Sequence, residues 1–271
     1  MVPTSLHLLL LLLTLLSMRY WFLLFQARSC APVFQFNTDR CQLDTSLPVF
    51  LTILWISHQL MTSATKEWMQ WQQTTVPPPV ISLNAVIASC VITLSFGVVL
   101  ILILTLLNQD SLPKLGFRLN DKTGQLRDGA VGFLLAILPV MALLLLTQSF
   151  RTEEVMHPLF LLLKAHPQFS TITWIFISAV VVAPLFEELI YRVIFQSWLE
   201  DILPPLAAIL TSSLIFSIVH GFPDCLPLFP LALILGTLFY YRRSYAANVI
   251  THALFNGVNL ALALANHPNP A

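Results

Sequence analysis

Residues Thr171 to Leu199 read TITWIFISAVVVAPLFEELIYRVIFQSWL, an apolar run that carries Glu187, Glu188 and Arg192 in its interior. About 20 consecutive apolar residues cross the hydrocarbon core of a bilayer as helix, so this run reads as a membrane-spanning helix. An ionisable side chain near the middle of such a helix costs about 3 kcal/mol or more, and such groups face a bundle interior or a wet cavity and mark a functional site. Glu188 and Arg192 stand at i and i+4 and can neutralise each other on one helical face, which makes them a structural ion pair. Glu187 is left without a local partner, because adjacent residues on a helix of 3.6 residues per turn point about 100° apart.

The rest of the chain has the same character. Of its 271 residues 57% are hydrophobic and only 10% charged, and the mean hydropathy is +0.80. Further apolar segments cover roughly Leu8–Phe25, Leu47–Met61, Val80–Leu107, Gly129–Leu146, Pro204–Val219, Leu226–Tyr241 and Ala246–Ala265, so that with Thr171–Leu199 there are eight. No strand-like alternation competes with them. The expected fold is therefore an all-α membrane protein, a bundle of about eight transmembrane helices. Residues 1–107 hold the N-terminal membrane spans and 108–271 the part that carries the polar motifs. The first segment could be signal-like, but a weakly charged start, no clear small-residue cleavage site and the interrupting Arg19 argue that it is a span. The second is short for a span.

Formal net charge is zero and no basic run suggests a nucleic-acid partner. Cytoplasmic loops carry an excess of Lys and Arg. The loop 108–128 holds Lys114, Arg118, Lys122 and Arg127 and is placed inside. Alternation over eight spans then puts Arg28, Arg40, Arg242 and Arg243 inside as well, and Lys66, Arg151 and Lys164 outside, with Trp68 and Trp71 in an external loop closed by Pro77, Pro78 and Pro79. Cys30, Cys41, Cys90 and Cys225 form no CxxC pair, which disfavours a cysteine-built zinc or redox site, and in this topology Cys30 and Cys41 are expected as free thiols. The expected location is an integral, multi-pass position in the cell (inner) membrane, with the lipid bilayer as the first partner.

Two more polar pairs lie in apolar segments of the C-terminal half. Phe216 and His220 end the sixth segment, and His252 and Asn256 lie within the eighth, each pair at i and i+4. Asn248 and Asn259 extend the second stripe and read as interhelical packing hydrogen bonds. A carboxylate beside a histidine can serve as a base for water. A second histidine and a carboxamide can donate hydrogen bonds to an oxygen on which charge develops. Such a set is a hydrolase for a carbonyl centre. Glu187, His220 and His252 can equally bind zinc with an open fourth position, and the spacing leaves both open: HExxH is absent and the three residues come from three helices.

At these residues the chain resembles the CAAX-protease and bacteriocin-processing (CPBP, or Abi) family of intramembrane endopeptidases. The family pattern EExxxR, FxxxH and HxxxN or HxxxB stands here as Glu187-Glu188-x-x-x-Arg192, Phe216-x-x-x-His220 and His252-x-x-x-Asn256. Leu235-Gly236, Tyr240 and Ser244 before the third motif, and Leu115-Gly116-Phe117-Arg118 earlier, look like the family too. Two positions depart from it: Val193 stands where the family often has Gly, and Tyr191 where Phe is usual, which bears on substrate fit more than on chemistry. The resemblance implies a recessed active site in which Glu187 and His220 activate water, His252 and Asn256 form the oxyanion hole, and Glu188 and Arg192 brace the motif helix. It implies a peptide or membrane-protein substrate, with prenylated CAAX proteins one candidate, and a metal-free site with zinc as the alternative.

Two other classes fit part of the pattern. Buried Glu, His and Arg also line transporter and proton-relay paths, although matching broken spans in two halves are not evident. A silent scaffold or immunity protein would need none of the three motifs. One feature strains the protease reading: in the alternating topology His220 lies near the outer end of its span, Glu187 in mid-span and His252 near the inner end. A tilt, a short sixth helix or a re-entrant turn after Gly221 would reconcile the depths.

Overall fold

The computed structural model describes residues 4–27, 34, 46–72, 81–107, 112–118, 120–151 and 157–266. They form nine helices: α1 (Thr4–Ala27), α2 (Ser46–Gln72), α3 (Leu83–Leu107), α4 (Lys122–Leu146), α5 (Pro158–Ala165), α6 (Phe169–Ile202), α7 (Pro205–Ile218), α8 (Cys225–Arg242) and α9 (Tyr245–Asn266). No strand occurs among the described residues. The protein is an all-α, multi-pass integral membrane protein. Six helices are long and apolar enough to cross a membrane, namely α1, α3, α4, α6, α8 and α9, while the apolar stretches Ser46–Thr62 of α2 and Pro205–Ile218 of α7 fall short of that length.

Each of the eight apolar segments corresponds to a helix, and two details differ from the sequence expectation. The stretch expected as an external loop after Met61 continues as helix to Gln72, so the backbone at Trp68 and Trp71 is helical. A short extra helix, α5, begins at Pro158, where proline's missing N–H is no loss. Its Leu162 and Leu163 are buried in a cluster with Val86, Cys90, Ile175, Val182 and Leu260. Cys30, Cys41, Arg28, Arg40 and the three prolines 77–79 lie outside the described residues.

Helix α6 positions the site. It runs for 34 residues, roughly 50 Å at 1.5 Å per residue, and it is not α-helical throughout. Ile177–Val182 and Leu189–Gln196 have π geometry, with an α-helical turn Ala183–Glu188 between them. The 3.6-residue period assumed from sequence therefore fails on both sides of Glu187 and Glu188. Such bulges are often found at functional sites.

The helices that pack on α6 do so through small and apolar residues. Val49, Ile56, Leu100, Leu104, Phe186, Leu189, Ile190, Ala208, Phe216 and Phe239 share one buried cluster, and α4 packs with α1, α8 and α9 in a second. At one end of the bundle the start of α4, the end of α8 and the end of α6 are tied by ion pairs. Arg242 bridges Asp121 and Asp128, with Nε 2.8 Å from Asp128 Oδ2, and Arg243 pairs with Glu200. The hydrogen bond from Arg242 holds the Asp121 carboxyl below the usual carboxylate range. The Tyr245 N–H donates to the Gly116 carbonyl at 3.0 Å. Gly116 and Asp121 thus share one end with residues 242–245, as the alternating topology requires.

Candidate active site

Three helices bring the motif residues together. Glu187, Glu188 and Arg192 come from α6, His220 from the turn that follows α7, and His252 and Asn256 from α9. Helix α7 is only 14 residues long, and Gly221 takes a positive φ of 74° to end it, a conformation that glycine adopts without steric cost. The short helix and sharp turn resolve the depth conflict: the Nε2 atoms of His220 and His252 lie 4.0 and 3.8 Å from the same Oε2 of Glu187.

Each imidazole is oriented through its other nitrogen. His220 Nδ1 is 2.7 Å from the Phe216 carbonyl, which can only accept, so Nδ1 carries a proton and Nε2 faces Glu187. His252 Nδ1 is 2.8 Å from Glu188 Oε1. Phe216 is the shared wall, with ring centroids 4.8 Å from His220, 5.8 Å from His252 and 5.0 Å from Tyr191. The Glu187 and His220 side chains are 24% and 27% exposed, whereas those of His252 and Glu188 are 4% and 0%. The first pair is therefore reachable and the second is its buried support. Glu187 Oε2 itself is buried and takes no hydrogen bond from the described residues.

Glu188 is held from three sides. Arg192 Nε lies 3.5 Å from its Oε2, Asn248 Nδ2 donates to the same oxygen at 3.1 Å, and His252 Nδ1 approaches the other oxygen. The expected ion pair is present, but it is one part of a cage that also steers His252. Asn248 also donates to the Leu235 carbonyl at 2.8 Å, so the packing bond expected of it ends on the motif carboxylate. Asn256 Nδ2 donates to the Ala179 carbonyl at 2.8 Å, across to the first π stretch of α6. No hydrogen bond of Asn259 figures in the cluster.

Sequence reading missed the polar row that continues from Arg192. Arg192 Nη1 donates to Ser212 Oγ at 3.1 Å, and its guanidinium lies 5.4 Å from the Phe216 centroid. Gln196 Nε2 donates to Glu200 and to the Gly236 carbonyl, both at 2.9 Å. Glu188, Arg192, Gln196 and Glu200 recur every four residues, a spacing visible in the sequence had the row been followed past the motif.

The donor set suits zinc in kind, being one carboxylate and two imidazole Nε2 atoms, but not in spacing. Ligands around tetrahedral zinc at about 2.0–2.1 Å stand roughly 3.3 Å from one another, closer than the separations at Glu187. Among the described residues no three His, Cys, Asp or Glu side chains are placed to hold a metal ion.

A carboxylate faced by two oriented imidazoles, recessed among membrane-spanning helices, can activate a water molecule. Residues 168–258 match the family described as type II CAAX prenyl endopeptidase Rce1-like. That match covers about a third of the chain and spans all three motifs, so over this stretch the chain is similar to that family. No curated protein and no solved structure matches the chain.

Proposed function

We propose that this protein is an intramembrane endopeptidase that hydrolyses a peptide bond of a membrane-associated protein or peptide with water activated by Glu187 and His220. The observation that carries the reading is the convergence of both Nε2 atoms on one Glu187 oxygen that takes no hydrogen bond from the described residues. A separation of 4.0 Å between polar atoms is one that a single water molecule bridges. Glu187 takes a proton from that water as its oxygen attacks the scissile carbonyl, and His220 orients the water through Nε2. The oxyanion receives hydrogen bonds from the Nε2–H of His252, acting as an imidazolium whose Nδ1–H is held by the Glu188 carboxylate, and from the amide hydrogen of Asn256 not engaged by Ala179. Glu187 then passes its proton to the departing amine, and the C–N bond breaks. Glu188 keeps His252 oriented, and Arg192 neutralises Glu188.

We take the metal-free reaction as the reading and the zinc-dependent version as its alternative. The description of the matched family supports a prenylated CAAX-type substrate. The test is cleavage by the purified full-length chain in lipid, read by mass spectrometry, with farnesylated CAAX peptides and their unprenylated counterparts. Cleavage that depends on Glu187 is expected. If neither peptide set is cut by wild-type protein, the protease reading fails. If only unprenylated peptides are cut, the enzyme stands and the prenyl preference falls.

A further inference from the structure

The bond from Asn256 to Ala179 has a cause in the backbone of α6. In the first π stretch, hydrogen bonds run from each N–H to the carbonyl five residues back, and the Ala183 N–H donates to the Ser178 carbonyl. The next bond in that register would run from residue 184 to the carbonyl of Ala179. Residue 184 is proline and has no N–H to give. Asn256 Nδ2, from a different helix, donates to that carbonyl instead, at 2.8 Å. Neighbouring side chains commonly re-satisfy backbone groups that proline frees in membrane helices, because hydrocarbon offers no water to do so.

We infer that Pro184 is a positioning residue for the reaction: its missing N–H reserves the Ala179 carbonyl for Asn256, and that bond fixes the carboxamide one turn beyond His252. One amide hydrogen is engaged by Ala179, so the direction of the other is set. Pro184 therefore stands three residues before the base Glu187, and the Ala179 carbonyl that anchors the oxyanion donor lies eight residues before it on the same helix. This inference rests on the proposed role of Asn256, but the bond itself can be tested apart from activity.

The experiment is a cycle of Pro184→Ala, Asn256→Ala and the double variant in the purified full chain, following melting temperature and, separately, kcat and KM. Asn256→Ala is expected to lower the melting temperature in the wild-type background. In the Pro184→Ala background, where residue 184 has an N–H for Ala179, the same change should cost less than half that shift. Pro184→Ala should reduce kcat by about tenfold with KM little changed, less than the roughly hundredfold that a 1 Å misplacement of a reacting group can cost. In the Asn256→Ala background it should change kcat little. Equal melting shifts in the two backgrounds, or kcat losses that simply multiply, would overturn the inference. If no member of the cycle hydrolyses peptide, the proposed function fails while the melting cycle still decides the bond. Should Pro184→Ala not fold, Pro184→Leu supplies the same N–H. Failure of both to fold would make Pro184 a structural requirement independent of Asn256, and that too overturns the assignment.

Discussion

His252 and Glu188, 64 residues apart in sequence and on two different helices, form a buried pair, Nδ1 to Oε1 at 2.8 Å. Glu188 thereby has two tasks that one helical ion pair does not predict: it neutralises Arg192 on its own helix and it fixes the imidazole of another. Glu188→Gln keeps the shape but leaves Arg192 buried without a counter-charge. Breaking a buried pair in this way costs about 3–5 kcal/mol. Both thermal stability in detergent and turnover are expected to drop together. A stable but inactive Glu188→Gln protein would instead assign the catalytic base to Glu188.

Glu187→Gln is expected to behave in the opposite way. Glu187 has no arginine partner, and its Oε2 takes no hydrogen bond from the described residues, so an isosteric amide removes the base while disturbing little packing. Hydrolysis should disappear and the melting temperature should stay within a few degrees of wild type. Residual cleavage near the wild-type rate would remove Glu187 from the mechanism.

The α4–α9 contact supplies a prediction about stability alone. A Cβ on Gly129 would stand 2.8 Å from the Ala247 carbonyl oxygen and 2.8 Å from side-chain atoms of Ile250. Close approach of two membrane helices depends on such small residues. Gly129→Ala should force α4 from α9 and destabilise by about 1–3 kcal/mol, the usual cost of overpacking. Thermal unfolding of the variant in detergent measures it, and an unchanged midpoint would mean that the two helices can separate without loss.

Much of this was legible in the sequence because the bilayer imposes length and apolarity on each span, and the eight apolar segments each correspond to a helix. The three motifs could be assigned to one site because carboxylate, imidazole and carboxamide side chains have few reasons to lie in hydrocarbon except together. What was not legible depends on contacts between helices. Periodicity cannot reveal the π stretches beside Ala183–Glu188, where a carbonyl can find its partner on another helix, as Ala179 does in Asn256. The apolar composition of α5 resembles a span too short to cross, and only burial of Leu162 and Leu163 explains its place. The depth of His220 could not be settled by counting residues across spans, since Gly221 ends α7 early.

The metal question is decided by two measurements on one protein. If Glu187 and His220 activate water alone, cleavage should survive exhaustive treatment with a zinc chelator, and elemental analysis should find well below one zinc per chain. A catalytic zinc instead lowers the pKa of its bound water to about 7, so stripping it would eliminate the nucleophile. His252→Gln separates the readings further. Its amide can still donate to an oxyanion, and loss of one such donor costs about 2.7–4 kcal/mol of barrier, so a slowed enzyme with unchanged metal content is expected. A zinc ligand replaced by glutamine would lower metal content along with activity. Inactivation by chelator with rescue by added zinc would reject the metal-free mechanism and require Glu187, His220 and His252 to close from their 3.8 and 4.0 Å separations onto a shared ion.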